Sequence, residues 1–308
     1  MPVTQELAIP PYLQAGDTIA ITCPAGAVNT ADIQVMAAYI EAQGFKVVLG
    51  ATVGTAYYKF SGTDAERAQD LQQFLNDPHI KAIFFGRGGY GVVRILDQLD
   101  FTAFKQHPKW LVGYSDITAI LGHIQSVYGV AGLHAHMQGG YQENEFHALS
   151  THSLFNAVQG FGQTYIGESH PMNRVGGAQG LITGGNLALL SDLIGTPSDI
   201  DTTGKILFIE DIAEYKYNID RMLWQLKRAG KLSKLAGLLV GGFTDTQDNE
   251  IPFGMDVYEM VAEKVVDYPY PVIYGFPVGH QAENYALICG GAYSLQVHQS
   301  HYTLARSV

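Results

Sequence analysis

The chain has 308 residues, 47% of them hydrophobic, which suits one large domain or two domains of medium size. Its 18 basic and 29 acidic residues give a formal net charge of -11, a balance that disfavours binding to the phosphate backbone of nucleic acid. The sequence has no run of about 18 apolar residues that could span a membrane. It also lacks a basic start followed by an apolar stretch, the pattern of a signal peptide.

Cysteine usage bears on the compartment. The two cysteines, Cys23 and Cys289, form neither a disulfide framework nor the paired spacing of a metal site. A single bridge between them stays open at this point, but a reducing compartment is the simpler expectation. We therefore predict a cytoplasmic protein with no membrane partner and no nucleic-acid partner.

The first half of the chain alternates apolar strands with amphipathic helices. Residues 17–26, DTIAITCPAG, predict a strand ending in a Pro/Gly turn, and residues 31–44, ADIQVMAAYIEAQG, predict a helix. The elements that follow, in chain order, are the strand FKVVLG, the helix TDAERAQDLQQFLND, the strand IKAIFFG, the helix RGGYGVVRILDQL, the strand WLVGYS and the helix ITAILGHIQSVYG. This alternation predicts a parallel sheet covered by helices in an N-terminal α/β domain, residues 1–160.

The second half predicts another α/β domain after a break. Residues 161–180 are Gly-rich and weakly periodic, so we predict a linker there and a C-terminal domain over residues 181–308. Its predicted elements are GLITGG, the helix NLALLSDLIG, the strand KILFIED, the helix YNIDRMLWQLKRAG, and the apolar segments LAGLLVGGF and PVIYGFPVGH. The last segment predicts a β-hairpin that turns at Gly290-Gly291, which makes this second sheet mixed.

Ser115 lies where the strand WLVGYS meets the next helix. A strand-turn-helix junction presents such a serine at the carboxyl edge of a parallel sheet, where a nucleophile elbow would place it. GYSDI supplies only half of the G-x-S-x-G pattern, and Ser115 or Asp116 as a simple helix cap is the alternative.

A glycine loop, GRGGYG at residues 86–91, also closes a strand. Glycines allow close backbone approach to a ligand and offer N–H groups to an anion or oxyanion. Arg87 in this loop is a candidate for binding a carboxylate, and bracing of the loop is its alternative role. The loop also fits a dinucleotide-binding pattern, but no acidic partner for a ribose is evident, and a plain tight turn remains open.

Acidic and histidine side chains follow strands in the second half. Glu210 and Asp211 end a strongly apolar strand, where an acid either caps the next helix or orients a histidine. His280 follows a strand and a Pro/Gly turn, a loop position that suits a general base. His134 and His136 have H-x-H spacing without a convincing third ligand, so we predict no metal site.

Together these stretches resemble the L,D-carboxypeptidases of serine peptidase family S66, which include murein tetrapeptide carboxypeptidases and microcin-immunity peptidases. The resemblance covers nearly the whole chain and rests on six stretches in the order of the family. They are AGDTIAITCPAG, GRGGYGVVRIL, GYSDIT, GGNLALLSDLIGTP, ILFIEDIAEYKYNIDRMLWQL and PVGHQAEN.

The resemblance implies a catalytic triad of Ser115 as nucleophile, His280 as base and Glu210 as orienting acid. It also implies an oxyanion hole of backbone amides, which we assign to Asp116 and to Gly88-Gly89, with Asp116 at the start of the helix. The implied substrate is a small murein peptide, cut between its L-centred diamino acid and its terminal D-Ala without a cofactor. A homodimer is the expected assembly.

The chain departs from the family pattern in one place. The family usually shows His-Gly-Pro-Met where this chain has His134-Ala135-His136-Met137, which puts the shape of the pocket and the substrate preference in question. Two alternatives remain. One is a microcin-immunity-type peptidase or amidase acting on peptidyl-nucleotide conjugates, for which Tyr57-Tyr58 and Trp224 are candidate stacking residues. The other is a non-catalytic two-domain module that binds a small ligand.

Overall fold

Two β-sheets with helices on their faces form the protein in its computed structural model, which describes residues 7–141 and 145–306, apart from the side chains of residues 145–147. The strands are β1 (Thr18–Thr22), β2 (Lys46–Leu49), β3 (Ile80–Phe85), β4 (Trp110–Gly113), β5 (Gly132–His134), β6 (Gln163–Glu168), β7 (Gly176–Asn186), β8 (Ile206–Ile212), β9 (Gly237–Thr244), β10 (Val272–Tyr274), β11 (Leu287–Cys289), β12 (Ala292–Val297) and β13 (His301–Arg306).

The helices fall mostly where the apolar periodicity predicts them. They are α1 (Thr30–Ala42), α2 (Asp64–Asn76), α3 (Thr102–Gln106), α4 (Thr118–His123), α5 (Glu145–Gln159), α6 (Leu187–Asp192), α7 (Lys216–Arg228) and α8 (Val257–Val265). Capping residues set several of the starts; for example, Asn29 caps α1 and Thr63 forms a capping box with Glu66 at α2. No helix within the described ranges has the length and apolar character to cross a membrane.

The first sheet has the strand order β11-β5-β4-β3-β1-β2 among the described residues. The strands β1 to β5 are parallel, and β11 joins the edge in the antiparallel direction. The central strands are apolar on both faces, as expected for a sheet covered by helices on both sides. The predicted parallel α/β arrangement of the N-terminal region is confirmed.

The second sheet has the order β10-β9-β8-β7-β12-β13-β6 in the described part of the chain. The strands β7 to β10 are parallel, whereas β12, β13 and β6 add on in the antiparallel direction. The mixed sheet predicted for the C-terminal region is therefore confirmed. Its parallel part places the carboxyl ends of β8 and β10 at one edge.

Three local predictions are corrected. Residues 161–180 do not form a linker, because β6 and the first part of β7 lie there and pair within the second sheet. The hairpin turns between β12 and β13, not at Gly290-Gly291, where the positive φ of Gly290 (99°) carries the chain from one sheet into the other. Residues 92–98 form two short 3₁₀ turns in place of a helix.

The two sheets meet along β7 and α4. The Asn186 amide at the end of β7 donates to the Thr118 hydroxyl at 3.1 Å, and the Thr183 hydroxyl donates to Gln125 at 2.9 Å. Strand β11 extends this contact, since it follows the second sheet in sequence but pairs with β5 of the first. The carboxyl edges of β4 and β8 consequently lie close to one another.

Candidate active site

Ser115 is the second residue after β4, with Tyr114 between them. Its backbone is in the left-handed region, with φ of 62°. A side chain with a Cβ pays roughly 1–2 kcal/mol for this conformation, and such strain is concentrated at functional sites. A 3₁₀ turn, Ser115–Ile117, leads directly into α4. The chain therefore makes a sharp turn between a strand and a helix at Ser115.

Asp116 does not cap this helix. No side chain caps either the 3₁₀ turn or α4, and the Asp116 carboxylate instead accepts a hydrogen bond from the Val92 amide at 2.8 Å. The helix-start role predicted for Asp116 is wrong, because its side chain turns towards the glycine loop. Burial raises the pKa of this carboxyl to about 6.

The glycine loop lies directly against Ser115. A Cβ on Gly88 would lie 2.9 Å from the Ser115 Cβ and 3.3 Å from the Asp116 amide nitrogen, so only glycine fits here without a shift. The Gly88 carbonyl accepts a hydrogen bond from the Gly26 amide at 2.9 Å, and Gly89 has a positive φ of 95°. The structure thus brings Gly88 and Asp116 together around Ser115, as the sequence predicts.

Arg87 braces the loop. Its Nη1 donates to the Ala27 carbonyl at 2.7 Å, while the side chain as a whole is exposed. Together with Lys59, Gly89 and Tyr90 it lines an open pocket of about 470 Å³ beside the loop. Lys59 was not singled out in the sequence, because no motif connects it with the loop.

Glu210 and His280 form the most tightly joined pair of the site. The Glu210 Oε2 accepts hydrogen bonds from the His280 Nδ1 at 2.6 Å and from the His280 amide at 3.3 Å. Glu210 is fully buried near the end of β8. A Cβ on Gly279, which has φ of 98°, would lie 2.5 Å from this oxygen, so the glycine before His280 is what permits the close approach.

Two further side chains fix the loop that carries His280. The Thr244 hydroxyl donates to the His280 carbonyl at 2.6 Å, and the Asn284 Oδ1 accepts from the Gly279 amide at 2.9 Å. Neither residue was identified from the sequence. Asn284 is part of the stretch PVGHQAEN, but nothing in that pattern indicates a hydrogen bond back to Gly279.

The imidazole of His280 contacts the first sheet at Tyr114. Its ring centroid lies 4.7 Å from that of Tyr114, the residue before the serine. No hydrogen bond joins Ser115 to His280 within residues 7–141 and 145–306, and catalytic hydrogen bonds are often long in ligand-free sites. The Glu210–His280 pair therefore lies against the residue that precedes Ser115.

Asp211, the neighbour of Glu210, points elsewhere. Its carboxylate accepts hydrogen bonds from the Asn186 side chain at 2.8 Å and from the Ala188 amide at 3.0 Å. Burial, with the nearby charge of Glu210, raises its pKa to about 7. Glu210 therefore accepts a hydrogen bond from the histidine, whereas Asp211 accepts one from the first turn of α6.

The two histidines of the H-x-H stretch have different surroundings. The His134 ring is buried against Phe208, with ring centroids 4.9 Å apart, and burial lowers its pKa to about 4. The His136 Nε2 lies 3.2 Å from the Thr151 hydroxyl, and its ring borders a pocket of about 200 Å³ next to Tyr114. No cluster of three or more metal-ligating side chains occurs in the part of the chain that the structure describes.

Comparison with known proteins adds a family to this geometry. Residues 19–135 match the family described as the LD-carboxypeptidase N-terminal domain, and residues 179–295 match the LD-carboxypeptidase C-terminal domain, both of peptidase S66. A probable murein peptide carboxypeptidase from Bacillus subtilis is 34% identical over 284 residues, which cover 91% of this chain and 89% of the relative. The murein tetrapeptide carboxypeptidase of Pseudomonas aeruginosa is 28% identical, with 87% and 89% covered.

Solved structures agree with the fold. The muramoyltetrapeptide carboxypeptidase from Oxalobacter formigenes superposes with a TM-score of 0.83 at 27% identity, covering 94% of this chain and 99% of that chain. MccF in complex with glutamyl sulfamoyl guanosine also gives a TM-score of 0.83, at 22% identity, with 98% and 99% covered. At that identity the second likeness shows a shared fold alone.

Proposed function

The chain belongs to the LD-carboxypeptidase family, peptidase S66, and is a hydrolase of the carboxypeptidase class; we propose that it removes the terminal D-Ala from murein peptides by serine catalysis. The observation that carries this proposal is the buried Glu210–His280 pair placed against the strained junction at Ser115. The names of the relatives, which concern murein peptides, support the substrate.

Glu210 holds the histidine in the tautomer that catalysis needs. Because the carboxylate accepts from Nδ1 at 2.6 Å, Nε2 is left as the basic nitrogen that takes the proton of the serine. The second hydrogen bond, from the His280 amide, fixes the carboxylate as well as the ring. The full burial of Glu210 keeps water from competing for this interaction.

The proposed reaction is acyl transfer in two stages. His280 takes the proton of the Ser115 hydroxyl, and the oxygen attacks the carbonyl carbon of the L-centred residue. The resulting tetrahedral species collapses, the C–N bond breaks, and His280 returns its proton to the departing amine of D-Ala. Water then attacks the acyl-serine, losing its proton to His280, and the shortened peptide leaves as Ser115 is reprotonated.

Backbone amides stabilise the negative charge on the carbonyl oxygen in both stages. We assign this oxyanion hole to the Asp116 amide and to Gly88-Gly89, which the close packing at Gly88 holds beside Ser115. The hydrogen bond from Val92 to the Asp116 carboxylate ties the loop to the serine turn, so donors and nucleophile keep a fixed separation.

Release of D-Ala from murein tetrapeptide tests the proposal. Wild type and a Ser300→Ala control, altered in the turn between β12 and β13, are expected to release D-Ala at similar rates. Ser115→Ala is expected to be slower by more than about 10⁴-fold, since loss of a triad serine removes the acyl-enzyme route. Equal release by Ser115→Ala and wild type would contradict the assignment of the nucleophile.

A second candidate is hydrolysis of aminoacyl or peptidyl nucleotide conjugates, the microcin-immunity type. The pair Tyr57 and Tyr58, with ring centroids 5.0 Å apart and side chains 50% and 88% exposed, precedes Lys59 of the pocket beside the glycine loop and offers a stacking surface. Trp224, the other candidate, lies on α7 and is 42% exposed, with the Lys264 Nζ 4.9 Å from the centre of its ring.

The connection after the acid strand argues against this second candidate. Only residues 213–215 separate β8 from α7, whereas we expect a peptidase of the microcin-immunity type to carry a long insertion at this place. Release of the amino acid from an aminoacyl sulfamoyl nucleoside, compared with D-Ala release from murein tetrapeptide, decides between the two. The family membership sets aside the non-catalytic binding module.

The cytoplasmic location and the homodimer remain predictions. Both Cys23 and Cys289 are free and buried, which agrees with the expectation of a reducing compartment. Cell fractionation tests the location, and light scattering on the purified protein tests the assembly.

A further inference from the structure

The pocket beside the glycine loop carries positive charge that catalysis by the triad does not use. Lys59 and Arg87 line it together with Gly26, Ala27, Gly89 and Tyr90, and no acidic side chain is among the lining residues. This is a local reversal of the overall charge, since the chain carries a net charge of -11. A pocket of this kind attracts an anionic group of a ligand.

Neither cation forms a salt bridge with a carboxylate in the described ranges. The ion pairs there occupy other cations, such as Arg67, Arg94 and Lys264. Lys59 holds its Nζ 4.9 Å from the centre of the Tyr90 ring, a cation–π contact that orients the ammonium group without neutralising it. Arg87 commits one nitrogen to the Ala27 carbonyl and leaves further N–H donors for a ligand.

The two cations are anchored to one strip of backbone. The Ala27 amide donates to the Lys59 carbonyl at 2.9 Å, the Ala27 carbonyl accepts from Arg87, and the adjacent Gly26 amide donates to the Gly88 carbonyl. The strip therefore connects both charges to the loop that packs on Ser115. A group bound between them lies at a defined position relative to the proposed nucleophile, which is the preorganisation that a binding subsite needs.

We propose that Lys59 and Arg87 form a carboxylate-binding subsite for the peptide substrate. The inference rests on the proposed function, because it places a carboxylate of the same peptide whose carbonyl reacts with Ser115. An ammonium group and an arginine fork together suit one carboxylate, as a point charge and as paired N–H donors respectively. The carboxylate is either that of the departing terminal residue or one further along the peptide.

Binding of murein tetrapeptide to Ser115→Ala protein tests the subsite without turnover of the ligand. Adding Lys59→Met, which keeps the length of the side chain but removes the charge, is expected to weaken binding by about tenfold to a hundredfold, the effect of losing one hydrogen bond to a charged group. Lys59→Arg is expected to retain most of the affinity. Lys46→Met, which alters an exposed lysine on β2, is expected to leave it unchanged.

Two altered peptides distinguish the source of the carboxylate. In one the terminal carboxylate is an amide, and in the other the internal carboxylates are amides. The penalty of Lys59→Met is expected to disappear with one of these peptides and to persist with the other, which identifies the bound group. An equal penalty with all three peptides, or no penalty with any of them, would overturn the subsite.

Failure of the subsite and failure of the proposed function give different results. If wild type releases D-Ala and Ser115→Ala does not, while Lys59→Met binds as tightly as its parent, the function stands and the subsite is wrong. If Lys59→Met weakens binding in the expected pattern but wild type releases no D-Ala, the subsite stands and the proposed reaction is wrong.

Discussion

Ser115 in the first sheet and the Glu210–His280 pair in the second are held in place by different physical means. The serine depends on backbone: a left-handed φ of 62° and a glycine loop too close for any side chain at position 88. The histidine depends on a side chain: a buried carboxylate 2.6 Å from its ring nitrogen. One part of the site is thus shaped by steric exclusion and the other by charge and hydrogen bonding.

This difference predicts how each part fails. A substitution that adds a side chain in the glycine loop should displace the serine without changing its hydroxyl group. A substitution that removes the charge of the acid should leave the histidine in place but no longer favour the tautomer protonated at Nδ1. Glu210→Gln and Gly88→Ala, each with a control variant, separate these outcomes.

The largest expected effect is that of Glu210→Gln. The amide is nearly the same size as the carboxylate, so the fold should persist, but it no longer favours the Nδ1–H tautomer or stabilises the imidazolium formed during the reaction. We expect kcat to fall by about 10⁴-fold, the loss caused by the corresponding change of carboxylate to amide in a Ser-His-Asp triad. Steady-state release of D-Ala, with circular dichroism as the check on folding, measures it.

Asp211→Asn is the matched control for this charge. Asp211 is adjacent in sequence and also buried, yet its carboxylate accepts hydrogen bonds from Asn186 and Ala188, and none from the histidine among the described residues. We expect it to lose far less activity than Glu210→Gln. A loss of similar size in both variants would mean that the second part of the site does not depend on the charge of Glu210 in particular.

Asp211 itself predicts a pH dependence of stability. Because burial raises its pKa from 3.8 to about 7, the folded state holds this proton more tightly than the unfolded state does. Its contribution to stability is complete below the ordinary pKa and is lost as the pH rises through 7. Between pH 4 and pH 8, urea unfolding should therefore show wild type losing stability relative to Asp211→Asn, on the order of a few kcal/mol.

His134 supplies a control of opposite sign. Burial lowers its pKa from 6.5 to about 4, so its contribution is present above the ordinary pKa and is lost as the pH falls through 4. Relative to His134→Gln, wild type should lose stability on acidification. Parallel trends for the two variants would contradict the assignment of both buried groups.

Gly88→Ala tests whether the position of Ser115 depends on the close packing of the glycine loop. The new Cβ would lie 2.9 Å from the Ser115 Cβ, so the loop and the serine must move apart by a few tenths of an ångström or more. We expect kcat/KM to fall by about 10²-fold, because small misplacements of reacting groups have effects of that size. D-Ala release measures the change.

Gly162→Ala is its control, because the Cβ there meets only the Arg306 carbonyl oxygen, at an ordinary 3.8 Å. It should keep wild-type activity. Unchanged activity in Gly88→Ala as well would show that the position of the serine does not depend on the loop, and the comparison between the two parts would then fail on the steric side.

How much of this was predictable from the sequence also differs between the two parts. The serine junction follows from a strand, a turn and a helix read in order, so Ser115 and the glycine loop were both candidates. Choosing Glu210 over Asp211 needed the family resemblance. Neighbouring residues of a strand point to opposite faces, and only the fold shows which face meets the histidine.

Other features escaped because glycine hides the pattern of a strand. The segment predicted as a linker contains β6 and the first part of β7. Gly180 of β7 allows a close approach of backbone, since a Cβ there would lie 2.7 Å from the Gly204 carbonyl oxygen. Glycine has no side chain, so such positions do not contribute to the alternation of apolar and polar residues that predicts a strand. Lys59 and Thr244 were missed for another reason: each meets the site through contacts that are distant in sequence.

Thr118→Val gives the smallest expected effect and bears on how the two parts are kept in register. The Thr118 hydroxyl, on the helix that follows Ser115, accepts the Asn186 amide at 3.1 Å, and the Asn186 side chain in turn donates to Asp211 beside Glu210. Valine keeps the shape but leaves the buried amide without this acceptor, at a cost of about 1–2 kcal/mol.

Thr303→Val, on the antiparallel strand β13, is the control. If the bond only stabilises the fold, urea unfolding should shift while kcat stays constant; if it aligns the serine with the histidine, kcat should fall several-fold as well. We expect the second result, because this bond links the helix of the proposed nucleophile to the end of the strand that pairs with the strand of the proposed acid.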